Sequence, residues 1–273
     1  MKTNSLKCNN MPIIIGTITE KPKDSAISAK KQGADMIEIR YDMLHGEKNN
    51  FRKSGLRKNS LGKNSLGKNG LRKNCLGKNG FEKSGEYSCF EITSITDIVK
   101  EAGLPIIGTI RSNKEGGKFS GNQKTLFNLI KFIIPHVDFV DIEIRMKNKY
   151  IRELNKCAKQ NGVGIILSSH PKTPEKNRVL KKHINKAMKY EPYFIKIAPK
   201  FNSCSSGFAY FKSIGNIRKI MDDKKQLYCL VPVGKNAASL RKEMKKFNTS
   251  HMYGAITKKA APGQLSVEEL KIK

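Results

Sequence analysis

The chain has 273 residues, with 53 Lys+Arg against 23 Asp+Glu, a formal net charge of +30 and 38% hydrophobic residues. At roughly 100–200 residues per domain this is one large domain or two small ones, and no apolar run approaches the ~20 residues of a membrane-spanning helix. The apolar run at 11–15 is too short for a secretory signal, and the six cysteines contain no C-x-x-C pair, which argues against a zinc site or disulfide framework and for a reducing, cytoplasmic setting.

Eight apolar runs bounded by polar or glycine-containing segments read as buried strands: 12–18, 36–41, 105–110, 137–144, 164–168, 193–198, 227–233 and 252–257. Stretches of helical character lie between them, at 24–32, 123–134, 150–160, 174–190 and 237–247. After the second strand comes RKSGLRKNSLGKNSLGKNGLRKNCLGKNGF, residues 52–81, six five-residue units holding nine basic residues and no acidic one. A period of five suits neither helix nor strand, and Gly and Asn in nearly every unit favour coil. The segment therefore reads as a disordered or weakly structured insertion. Without it the chain still carries +21, most of it scattered lysine. Strand, helix, strand at regular spacing implies parallel strands joined by crossover helices, and eight such units in about 240 residues predict a single (β/α)8 TIM barrel spanning 1–273. A doubly wound open sheet is the alternative.

Alternation along the strands places the charges. Ile37 and Ile39 suit the surrounding helices, which sends Glu38 and Arg40 into the barrel. The same parity turns Lys196 inward between Ile195 and Ile197, and aligns Arg111 with Ile107 and Thr109. It also puts Asp141, Glu143 and Arg145 on the inner face of the fourth strand. Ionised groups are costly to bury unless paired or functional. Arg40, Arg111, His170 and Lys196 all fall at or near C-terminal strand ends, the active-site face of this fold.

A lysine among Arg40 and Arg111 with little water is expected to have its ammonium form disfavoured, as a Schiff-base lysine requires. His170, ending the adjacent strand, is within reach of a carbon next to an imine on Lys196, a geometry for α-proton abstraction. Glu115 in RSNKEGGKF is placed to accept a hydrogen bond from His170 and fix its tautomer, or else is a solvated loop residue. Arg241 in GKNAASLR and Gln264 in AAPGQ come from loops at the same mouth and suit a substrate carboxylate and a hydroxyl.

These residues carry a resemblance. GADMIEIRYDML, PIIGTIRSNKEGGKF, FVDIEI, SSHPKTP, FIKIA, GKNAASLR and YGAITKKAAPGQ, in order and at the right strand ends, resemble the type I 3-dehydroquinate dehydratases over residues 11–269 apart from the repeat. The resemblance implies a (β/α)8 lyase of the shikimate pathway that dehydrates 3-dehydroquinate to 3-dehydroshikimate through a lysine Schiff base. It makes Lys196 the imine lysine, His170 the base and later the acid, and Glu115 its orienting group. Glu38, Arg40 and Arg111 would hold ring hydroxyls, Arg241 the carboxylate, and Gln264 the closing loop. It implies no metal or cofactor, and often a homodimer. Three departures stand out: Pro171 follows His170 directly and shortens that loop, Ala260 replaces a common hydroxyl residue, and Val231 and Val233 replace larger residues.

Two other readings compete. A class I aldolase shares the barrel and lysine but does not predict AAPGQ or EIR. A nucleic-acid role for the repeat is motivated by the charge, but only Phe51 and Phe81 offer stacking, so weak salt-sensitive phosphate contact is the most it predicts. Gly162 and Gly164 lack the rest of a dinucleotide fingerprint, and His136, His183 and His251 lack metal-ligand spacing.

Overall fold

A computed structural model describes residues 11–44 and 89–271. The elements in chain order are β1 (Ile13–Ile18), α1 (Pro22–Lys31), β2 (Met36–Arg40), the one-turn α2 (Tyr41–Leu44), α3 (Cys89–Lys100), β3 (Ile106–Thr109), α4 (Gln123–Ile133), β4 (Phe139–Glu143), α5 (Asn148–Gln160) and β5 (Gly164–Ser169). They continue through α6 (Asn177–Met188), β6 (Phe194–Ile197), α7 (Cys204–Ser213), α8 (Gly215–Asp223), β7 (Tyr228–Leu230), α9 (Ala237–Lys242), β8 (His251–Ala255) and α10 (Val267–Lys271). Each predicted strand has its counterpart. The prediction 227–233 shortens to β7, and Pro232 beyond it has no N–H for a ladder. The repeat at 52–81 and the first ten residues lie outside the described residues.

The helices form where one face can be buried. In α4 the Asn122 side chain accepts from the N–H groups of Lys124 and Thr125, capping the first turn. Leu126, Phe127, Leu129, Ile130 and Ile133 then fall on one buried face, each worth ~1.5–3 kcal/mol when fully buried. Helix α5 buries Ile151, Leu154 and Ala158, and α6 buries Leu180, Ile184 and Ala187, each a single helical face on a sequence otherwise rich in lysine.

The strands pair in parallel in the order β7-β6-β5-β4-β3-β2-β1-β8. The remaining seam, β7 against β8, is spanned differently. Ser250 donates to Tyr228 O through both its N–H (2.8 Å) and its hydroxyl (2.7 Å), and the Leu230 N–H donates to Thr249 Oγ1 at 3.0 Å. The nearly closed barrel separates two apolar regions. Ile37, Ile39, Val140, Ile142, Ile195 and Ile197 pack against the helices, whereas Ile13, Ile15, Met36, Ile107, Phe139, Ile166 and Phe194 fill the lumen. Charged side chains take over the lumen toward the C-terminal strand ends.

Candidate active site

Neighbouring strands deliver the inward charges to one place. Lys196 on β6 stands in register with Ser168 on β5, and Glu38 on β2 with Ile107 on β3. Lys196 Nζ lies 3.4 Å from Glu38 Oε1, 3.6 Å from Asp141 Oδ2 and 3.8 Å from the centroid of the Tyr253 ring. Thr109 Oγ1 donates to the same Glu38 oxygen at 3.0 Å. The expected arginine surroundings of the lysine are therefore corrected: its immediate neighbours are two carboxylates and a ring face. The arginines have acids of their own. Arg40 forms a two-point pair with Asp42 (Nε to Oδ1 2.9 Å, Nη2 to Oδ2 2.8 Å). Arg111 pairs with Asp141 at 2.8 Å, Glu143 at 3.4 Å and Glu115 at 3.7 Å, and donates to Ser168 Oγ at 3.0 Å. Such pairing is what permits these guanidinium groups to be buried.

His170 follows β5, and both its ring Nδ1 and its backbone N–H lie 3.1 Å from Glu115 Oε2. Glu115 is thus buried and bonded to His170 rather than a solvated loop residue. With Nδ1–H donated to the carboxylate, the lone pair sits on Nε2. Burial, helped by Arg111, Lys196 and Arg40, lowers the His170 pKa well below the usual imidazole value, so the ring is neutral at neutral pH. Burial also pushes Glu115 up to about 7, against the pull of Arg111 and with Glu143 adding to the rise.

The loop carrying Glu115 is held from two sides. Glu143 accepts from the Ser112 N–H (2.8 Å) and hydroxyl (2.9 Å), and Asp42 Oδ2 accepts from the Lys118 N–H (3.1 Å). Two glycines make the turn possible: Gly116 has φ +84°, and a Cβ on Gly117 would stand 2.0 Å from Arg111 O.

Glu38, Arg40, Arg111, Glu115, His170 and Lys196 line one cavity of about 240 Å³. Gly116, Pro171, Ala198, Val233 and residues 260–262 complete its wall together with the exposed Lys172 and Lys200. Arg241 and Gln264 do not line it. Arg241 is buried, with Nε donating to Pro232 O at 2.8 Å and Nη1 to Tyr253 O at 3.4 Å, and burial lowers its pKa to about 10. Gln264 accepts from the Ala260 N–H at 2.7 Å and donates to Thr17 Oγ1 at 3.3 Å, tying the closing segment to β1. Arg145 departs from the predicted parity: β4 ends at Glu143, and the Arg145 side chain is exposed and paired with Glu175 at 2.6 Å. Sequence reasoning missed Asp42, Lys172 and Lys200. For Asp42 the signal was its position two residues after Arg40, across the start of α2.

The family model described as type I 3-dehydroquinase matches residues 87–272, more than half of the chain. The chain belongs to the type I 3-dehydroquinase family. Among its relatives, the 3-dehydroquinate dehydratase of Methanococcoides burtonii is 23% identical, with 99% of this chain and 97% of that one covered. That of Methanosarcina mazei is 26% identical over 94% and 91%. The fold matches the 3-dehydroquinate dehydratase structures from Clostridium difficile (TM-score 0.71, 20% identity, 96% and 90% covered) and Geobacillus kaustophilus (TM-score 0.69, 17% identity, 95% and 88% covered). As a type I 3-dehydroquinase it is a hydro-lyase that dehydrates 3-dehydroquinate, and the aldolase alternative falls with the family match.

Proposed function

We propose that Lys196 is the Schiff-base lysine of this dehydration and His170 its acid–base group. The observation that carries the reading is that Lys196, Glu38, His170 and Glu115 converge on one small cavity at the C-terminal ends of β2, β5 and β6. The Lys196 amine adds to the ring ketone, and loss of water leaves an iminium. Neutral His170 then takes a proton from the adjacent carbon, and the C–H electron pair moves into the ring to give an enamine. As the β-hydroxyl departs it takes that proton from His170, the iminium re-forms, and hydrolysis releases 3-dehydroshikimate and the free amine.

In this reading Glu115 orients His170, while Glu38, Arg40 and Arg111 hold ring hydroxyls. Arg241 serves the substrate carboxylate. Its support is chemical: its contacts among the described residues are carbonyl oxygens, with no carboxylate to neutralise a buried cation. Because Arg241 stands outside the cavity wall, this role requires the 257–264 segment, held by Gln264, to shift when substrate binds. We further propose a single barrel domain across 1–273, a homodimer and a cytoplasmic setting.

Borohydride reduction in the presence of 3-dehydroquinate, followed by peptide mass mapping, tests the reading. One reduced adduct on Lys196 is expected; an adduct on another lysine, or none, rejects the assignment.

A further inference from the structure

Two carboxylates face the Lys196 amine, and they are not equivalent. Glu38 lines the cavity and meets whatever is built on the lysine, whereas Asp141 does not line it. The Asp141 side chain is fully buried on β4. Its Oδ1 is engaged twice, by Arg111 Nη2 at 2.8 Å and by the Ser168 hydroxyl at 2.6 Å. Its Oδ2 makes no hydrogen bond among the described residues, yet stands 3.6 Å from Lys196 Nζ. The two contacts on Oδ1 fix the direction of the other oxygen. A carboxylate oxygen left bare in a dry interior is costly unless a positive charge faces it, and here that charge belongs to the reacting nitrogen.

We propose that Asp141 is a positioning residue of the reaction, the permanent counterion of the iminium nitrogen formed on Lys196. The proposal rests on the imine reading above. When the amine has added to the ketone and water has left, the nitrogen keeps one hydrogen and a full positive charge in the C=N bond. That charge lies at the position of Lys196 Nζ, opposite Asp141 Oδ2. Proton removal from the adjacent carbon sends its electron pair into the ring and leaves a neutral enamine. Departure of the hydroxyl restores the iminium. Asp141 therefore favours the two events that create the charge, imine formation and carbon–oxygen cleavage. It does so without touching the substrate, since it stays beneath the lysine while Glu38 faces the cavity.

The test uses Asp141→Asn, with Asp141→Glu as a charge-keeping second variant. The readouts are borohydride trapping at Lys196 with 3-dehydroquinate, kcat, and equilibrium binding of the corresponding ring alcohol, which has no ketone and forms no imine. Losing a preorganised charge at a reacting centre predicts trapping and kcat for Asp141→Asn roughly 100-fold below the parent. Asp141→Glu should fall between the two, with alcohol binding changed by less than about threefold in both. Trapping as fast in Asp141→Asn as in the parent overturns the proposal. So does loss of alcohol binding in step with trapping, which is what mere disruption of the site would produce. If Asp141→Asn does not fold, Asp141→Glu decides: trapping without alcohol-binding loss supports the counterion, and a proportional loss of both overturns it. Absence of any Lys196 adduct in the parent protein is a separate result that rejects the imine reading itself.

Discussion

At the scale of single residues, His170 and Glu115 share one environment and respond to it in opposite directions. The imidazole is driven toward its neutral form and the carboxyl is raised to about 7. Two such groups at 3.1 Å titrate as a pair, so the pH profile belongs to both. We expect kcat/KM to rise with pH through a limb near 7 as the pair loses its proton and the carboxylate orients a neutral base. Glu115→Gln should flatten that limb and lower kcat. A limb unchanged in Glu115→Gln would assign it elsewhere. The stability effect has the reverse sense. A carboxyl whose folded pKa is raised contributes stability that is complete below its unfolded pKa and lost as pH rises toward 7. Glu115→Gln should therefore gain thermal stability relative to the parent at pH 8 but not at pH 4, read from paired melting curves. His170→Ala keeps the lysine and should still give the trapped adduct, while kcat falls by about 10²–10⁴ on removal of a general base.

At the scale of elements, the strands are legible because alternation is a strict local rule. Ile37, Ile39, Ile195 and Ile197 mark the helix side without reference to any other part of the chain, and Glu38, Arg40 and Lys196 follow. What each charge is paired with is another matter. Glu38 meets Lys196 across 158 residues of sequence, and Arg111 meets Asp141 from a different strand, so local reading put the arginines around the lysine where the fold puts carboxylates. Helix α7 is not legible in the sequence because CSSGFAYFKS opens on small residues and buries only Gly207 and Phe211, too sparse a stripe to declare a period. The loop after β3 supplies the test at this scale. Gly117→Ala forces a Cβ onto the Arg111 carbonyl, so the turn must open. It should cost about 1–3 kcal/mol of stability and lower kcat as well, because Glu115 rides on the same turn. Calorimetry with steady-state kinetics on one sample checks both, and an unchanged kcat would detach the turn from the chemistry.

At the scale of the molecule, +30 is a poor guide to the partner. Nine of the charges belong to residues 52–81. The cavity is lined by described residues on β2 and β6 and by those that follow β3, β5, β7 and β8, and Arg40, Arg111 and Lys196 within it already face acids. Removing residues 52–81 should accordingly leave kcat/KM within about twofold, since salt weakens charge effects at long range and no group assigned to the reaction comes from this segment. Binding to a DNA duplex, if the repeat makes phosphate contacts, should weaken in the same variant. A duplex affinity that does not drop would dismiss a nucleic-acid role, and a collapse of turnover would give the repeat a part in the reaction.

The seam between β7 and β8 gives this barrel an uneven resistance to motion. Seven strand junctions are stitched by backbone ladders, whereas among the described residues this one is held by the side chains of Ser250, Thr249 and Cys229 and a main-chain bond from Ser250. The segment carrying Arg241 leaves β7, and the one carrying Gln264 leaves β8. The two mouth segments that have to rearrange for Arg241 to meet a carboxylate are thus rooted on either side of the least stitched junction. A main-chain bond from Gly234 to Pro262 O at 3.2 Å joins the two segments, so any rearrangement there is expected to carry both while the ladders bearing Lys196, Asp141 and Glu38 stay in register.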